Sequence, residues 1–187
     1  MQKLQQPAVS QAAEHDRKGE QAQMEITILK HGYQMEDAFE RLYKRSKHFK
    51  IEQMGTLFYP YLKATYEVIF SEKKLKRLNT RVICMVDLYT GRISLGKTQG
   101  TYFTQNVKDE YIIPIKVGRE EALKGCPIEV STALIQQRKM PKVPKIRLED
   151  DVVIYRPFYI VECLNEDNEN FHILFDAVTG DFSLLDS

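Results

Sequence analysis

Two aspartates occupy the same place in two copies of one short motif, Asp87-Leu88-Tyr89-Thr90-Gly91 and Asp176-Ala177-Val178-Thr179-Gly180. Such a segment is turn chemistry: the Asp and Thr oxygens accept hydrogen bonds from nearby backbone N–H groups, and glycine tolerates a positive φ. The two carboxylates could also form a pair across a pseudo-symmetric sheet, but turn capping explains them without catalysis. The other chemistry-bearing residues are scattered. His15, His31, His48 and His172 have no metal-ligand spacing among themselves or with cysteine. His172 is opposite in parity to Phe171 and Ile173 and is expected to face solvent.

Cys84, Cys126 and Cys163 share no CxxC spacing and cannot all pair, so they imply neither a disulfide framework nor a zinc site. Cys84 and Cys163 fall in strand-like segments, where a free thiol packs as a small hydrophobe. Cys126 precedes Pro127 at an expected helix break and is expected to be the most exposed of the three. A nucleophilic thiol needs a base and a lowered pKa, and the sequence names neither. Gly91, Gly96 and Gly100 are too widely spaced for a phosphate cradle, and Gly96-Lys97-Thr98 lacks the earlier glycine of a Walker loop. No catalysis, metal or cofactor is expected.

Charge offers a second class of function. The chain of 187 residues balances 27 Lys+Arg against 26 Asp+Glu. Residues 149–187 hold ten acids and the single base Arg156, leaving 26 bases and 16 acids in the rest. Such blocks attract one another within a fold, or offer a basic face to nucleic acid. Bases cluster at 44–50 (Lys44, Arg45, Lys47, Lys50), at 73–81 (Lys73, Lys74, Lys76, Arg77, Arg81) and at 138–147 (Arg138, Lys139, Lys142, Lys145, Arg147). They make nucleic-acid binding the alternative reading, although no helix-turn-helix, zinc finger or RNP signature accompanies them.

Elements that would position these residues follow from periodicity. Residues 1–23 are rich in Gln, Ala and charge and read as a mobile tail. Met35, Ala38, Phe39, Leu42 and Tyr43 mark one helical face, with acids in the first turns and bases in the last. Residues 56–70 and 81–87 are strand-like, and Pro60 confines the first to an edge or a bend. A segment at 96–118 is expected to connect. Helix is expected at Glu120–Lys124 and again at Ser131–Arg138, broken at Gly125-Cys126-Pro127. Residues 152–185 are again strand, the turn NEDNEN at 165–170, strand and DxxTG.

The two strand regions align. Pro60–Tyr66 matches Pro157–Cys163 at an offset of 97, and Val86–Gly91 matches Phe175–Gly180 at an offset of 89. The expected fold is therefore α+β: two helix-plus-antiparallel-hairpin repeats, 24–95 and 119–187, forming a sheet covered by helices. Phe39, Leu42, Leu62, Val68, Val82, Val86, Ile160, Phe175 and Leu184 are expected in the core.

Phe158–Glu162, a polar turn and His172–Phe182 resemble the hairpin of PepSY domains, a strand, a turn and a second strand closing on an aspartate and a Thr-Gly pair. The resemblance is best at 158–182 and looser at 60–95. It implies a small noncatalytic module with an inhibitory or protein-binding role, and no catalytic residues. No apolar run is long enough to span a membrane, and the first residues lack the apolar stretch of a secretory signal, so a soluble cytoplasmic protein is expected. The expected function is a protein-binding accessory or regulatory module, with self-association on the same surface as its bland counterpart. Its partner-binding residues are expected to be Tyr59 and Tyr61 with the loop bases Lys73, Lys74, Lys76 and Arg77.

Overall fold

A computed structural model describes residues 22–45, 49–70, 79–96, 100–138 and 144–185. The loop bases Lys73, Lys74, Lys76 and Arg77, nearly all of the expected tail, and Lys47, Lys139 and Lys142 lie outside these residues. In chain order the elements are β1 (Gln23–Leu29), α1 (Met35–Arg45), β2 (Lys50–Ile69), β3 (Thr80–Asp87), β4 (Ile93–Gly96) and β5 (Tyr102–Lys108). A 3-10 turn at Asp109–Tyr111, α2 (Arg119–Arg138), β6 (Lys145–Leu164), β7 (Asn170–Asp176) and β8 (Phe182–Leu185) complete them.

The expected helix-covered pair of α+β repeats is not what forms. Strand makes up 55% and helix 22% of the described chain, with two α-helices against one mixed sheet of eight strands. The physical reason lies in β2 and β6. Each runs for 20 residues, and they pair antiparallel from Lys50↔Leu164 to Ile69↔Lys145. That ladder is too long for either half to keep a sheet of its own. β3 and β4 extend it on one side, and β7 pairs onto part of β6 and carries β8. β1 meets β6 in parallel at Ile28↔Tyr155 and carries β5 antiparallel, so residues 102–108, expected within a connection, are an edge strand.

Tyr59 and Arg156, which the offset of 97 makes equivalent, pair directly with each other. A local two-fold relation therefore passes between them, and the two Asp turns obey it. Leu88 N–H donates to Pro60 O at 3.1 Å, and Ala177 N–H donates to Pro157 O at 3.2 Å. Pro60 thus lies within the β2–β6 ladder, with a strand partner on one side only. On its outer side β2 passes from the Ile112 bridge to β3, and there a turn, which supplies only a donor, takes the place of a strand. A residue without an N–H fits at that junction.

Each helix crosses to the other half. The N–H groups of Gly32 and Tyr33, just before α1, donate to Ala177 O at 2.9 and 3.0 Å. Those of Lys116 and Val117, just before α2, donate to Leu88 O at 2.9 Å each. Ala38 and Leu42 of α1 consequently pack with Tyr159, Val161, Cys163, Ile173 and Phe175. Ala122, Cys126, Val130 and Leu134 of α2 pack with Leu62, Ala64, Tyr66, Val68, Cys84 and Val86. Fully burying each large apolar side chain in these clusters contributes about 1.5–3 kcal/mol.

Helix α1 begins where expected, with the Asp37 carboxylate accepting from the Gln34 N–H at 2.8 Å. Phe39 and Tyr43 do not enter the core; their rings stack on each other outside it, with Phe39 44% exposed. Leu184 is 68% exposed because β8 is a four-residue edge strand, and Val82 and Ile160 are half-buried. The expected break in α2 is also absent, since the helix runs through Pro127. The proline removes the N–H that would bond the Leu123 carbonyl, and the Tyr66 hydroxyl donates to that oxygen instead, at 3.4 Å.

Candidate functional site: the uncovered face of the sheet

Successive side chains of a strand point to opposite faces. Leu62, Ala64, Tyr66 and Val68 of β2 and Tyr159, Val161 and Cys163 of β6 face the helices. Leu57, Tyr59 and Tyr61, with Phe158 and Ile160 across the ladder, therefore face the other way, and among the described residues no helix covers them. All five are half-buried rather than sealed.

The centre of this face is the two-fold junction. Tyr59 stands 5.4 Å from the Tyr61 ring, 6.1 Å from Tyr89 and 6.2 Å from Phe158. Its hydroxyl donates to both carboxylate oxygens of Asp87 at 3.1 Å. The equivalent Arg156 forks onto both oxygens of Asp176. Two different side chains at one pseudo-symmetric position thus hold the two turn aspartates. Burial, then the Asp87 bond and charge, push the Tyr59 hydroxyl up, so it stays protonated as a donor. Burial followed by Asp87 likewise raises Tyr61.

Each aspartate also closes its own turn. Asp87 Oδ1 accepts from the N–H groups of Tyr89 and Thr90, and Asp176 Oδ1 from those of Val178 and Thr179. Gly91 and Gly180 take φ of +78° and +77°, the conformation that permits this closure. Burial alone would raise the Asp87 carboxyl. The backbone and side-chain bonds from Thr90, with those from Tyr89 and Tyr59, outweigh burial and hold it below its usual range. The turn role read from the sequence is therefore the role these residues have. Lys116 adds a cation 3.7 Å from the Tyr89 ring centre.

Towards β7 the face opens into a groove of about 240 Å³ lined by Gln53, Gly55, Thr56, Leu57, Tyr111, Ile160, Glu162 and His172. His172 lines this groove half-buried, on the face opposite Phe171 and Ile173, with β6 and Tyr111 beside it. Cys126 is not the most exposed thiol: it is 0% exposed between β3 and α2, its Sγ 3.4 Å from Ala122 O. The unbroken helix turns it inward. Its hydrogen bond with Cys84 pulls it down to about 7 against burial, and the same bond first, then burial, pushes Cys84 up. Cys163 is also fully buried, and burial raises it to about 11.

Four of the described bases of the charged clusters meet acids. Lys44 pairs with Glu40 at 3.0 Å, Lys50 with Glu52 at 2.5 Å, Arg147 with Glu67 at 2.5 Å, and Arg81 with Glu149. Arg119 forks onto Asp151 at 2.5–2.6 Å. Two of these pairs join the basic part of the sequence to its acidic end, the internal attraction that the charge blocks suggested. Among the described residues no group of three or more His, Cys, Asp and Glu side chains is placed to hold a metal. No helix there is long and apolar enough to cross a membrane.

Of the six partner-binding residues expected from sequence, Tyr59 and Tyr61 stand together on the uncovered face, and the four loop bases lie outside the described residues. Arg156, Tyr89, Gly55, Glu162 and Tyr111 were missed. Arg156 left a signal, as the one base in the acidic end and the residue aligned with Tyr59. Compared with family models, curated proteins and solved structures, the chain matches none of them.

Proposed function

We propose that this chain is a noncatalytic protein-binding module whose contact surface is the uncovered face around Tyr59, Tyr61, Tyr89 and Phe158. The observation that carries the reading is an aromatic cluster left open while the acids beside it are already bonded, Asp87 by Tyr59 and Asp176 by Arg156. Apolar and aromatic contact area with internally satisfied polar groups is what the centre of a protein interface requires. The PepSY-like hairpin points to the same class of role, regulatory or inhibitory. Three free, buried thiols support a reducing, cytoplasmic setting. Nucleic-acid binding is the lesser reading, because Lys44, Lys50, Arg81 and Arg147 are each paired with an acid.

A photo-crosslinking residue at Tyr61, compared with one at the exposed Phe39 on α1, tests the proposal in native lysate. The expected result is an adduct of defined protein mass at position 61 and none at 39, abolished by Leu57→Lys on the same face. An adduct of twice 21.8 kDa identifies a second copy of the chain as the partner. Nuclease-sensitive adducts, or equal capture at 39 and 61, overturn the reading.

A further inference from the structure

We propose that the groove beside β7 receives one arginine side chain of the partner; this rests on the protein-binding reading above and names the anchor it uses. The strand register lays the groove out in rows. Gln53, Glu162 and His172 form one row across β2, β6 and β7, and Gly55, Ile160 and Leu174 form the next. Among the described residues no hydrogen bond or ion pair engages the side chains of Gln53, Glu162 or His172. Lys108, 5.9 Å from the Tyr111 ring, is paired with Glu110 at 3.6 Å. The unpaired charge lining the groove is thus the Glu162 carboxylate.

Gly55 is the second, independent observation. Glycine inside a strand weakens it and commonly marks the close approach of another group. Its φ is not positive, so conformation does not require it. A Cβ built there meets nothing within 4 Å, so packing within the chain does not require it either. The space a side chain would fill is thus left open to an occupant from outside.

The hollow is about 240 Å³, below the size of a drug-sized ligand site and suited to a single side chain. Its walls are apolar at Leu57, Ile160 and the half-exposed Tyr111. Arginine matches this order of surfaces: a methylene stem on apolar walls, and a planar cation that forks onto a carboxylate and stacks on an aromatic ring. The Gln53 carbonyl supplies a further acceptor for its remaining N–H donors.

The probe is arginine blocked at both ends, N-acetyl-arginine methylamide, titrated into the isotopically labelled full chain at millimolar concentration. Its neutral isostere, the blocked citrulline, is the control. The expected result is saturating amide shifts at Gly55, Ile160 and His172 with the arginine compound, and loss of them with citrulline. Gly55→Val, which fills the hollow, and Glu162→Gln, which removes only charge, should each abolish the shifts while other amides stay in place. Absent shifts, equal shifts with citrulline, or shifts that survive Glu162→Gln overturn the proposal. Because this titration needs no partner, crosslinking at Tyr61 together with a null titration would remove the anchor and leave the protein-binding reading standing.

Discussion

The two ends of the uncovered face are built on one plan and finished differently. At the β7 end the rows are Gly55–Ile160–Leu174 and Gln53–Glu162–His172; at the β3 end the equivalent rows are Val152–Lys63–Met85 and Asp150–Thr65–Ile83. Val152 stands where the other end has Gly55, so the hollow is filled. The Lys63 ammonium lies 5.1 Å from the Tyr102 ring of β5, and Ile154, the counterpart of half-buried Leu57, is fully buried. One end is closed and the other is open. The difference teaches that equivalent strand registers alone do not fix the surface: side-chain changes on one face decide which end is filled and which stays open.

The largest effect that tests this comparison is in the core. Phe175 and Val86 are equivalent and both fully buried. Phe175→Ala should lower the unfolding free energy by about 3–5 kcal/mol, and Val86→Ala by about 2 kcal/mol, read from urea denaturation. Equal losses would show that the two helix–hairpin contacts are not graded by side-chain volume.

Next comes the pair that holds the turn aspartates. The Arg156–Asp176 side chains are 28% and 15% exposed, between surface and buried ion pairs, so Arg156→Ala should cost about 2 kcal/mol. Tyr59→Phe removes one hydroxyl bond to Asp87 and should cost about 1 kcal/mol. A reversed order of thermal midpoints would break the assigned equivalence.

Gly55→Val gives the open end the residue of the closed one. With free space and an ordinary φ it should raise stability by about 0.5–1 kcal/mol, since a strand-interior glycine is removed. A destabilised variant would mean that the hollow is needed by the fold itself. The smallest effect concerns pH. The folded Asp87 carboxyl lies below its usual range, so its stabilising share is present above the unfolded carboxylate pKa and is lost as pH falls through the folded one. Asp87→Asn should therefore destabilise at neutral pH, and its urea midpoint should converge on that of the parent as the carboxyl protonates. A gap that stays constant through that range would sink the assignment.

Much of the local structure was legible in the sequence for local reasons. Helix α1 follows from its 3.6-residue pattern and its acidic first turn, and the two Asp turns follow from DxxTG chemistry that needs only a few neighbouring residues. Tyr59 and Tyr61 stood out as the aromatic rim of a strand-like segment, and the structure sets them side by side on one face. The α2 break was misread because the rescue of the Leu123 carbonyl comes from Tyr66, 57 residues away. The groove was illegible because its row of Gln53, Glu162 and His172 is set by the register of two ladders, and Gly55 alone reads as an ordinary weak spot in a strand.

The sequence by itself determined helix α1 and the strands that carry the repeated pattern, how the chain turns at Asp87 and Asp176, and that two segments share one pattern. These depend on residue type and near-neighbour spacing. Only the tertiary structure decided that β2 and β6 merge into one ladder, that each helix packs on the opposite hairpin, and that Cys126 is sealed while one sheet face stays open. Both halves carry the same apolar pattern, so pattern alone leaves each helix two equivalent hairpins to cover. The choice is made by the long Lys50–Leu164 pairing and the donations from residues 32–33 and 116–117, contacts between residues far apart in the chain.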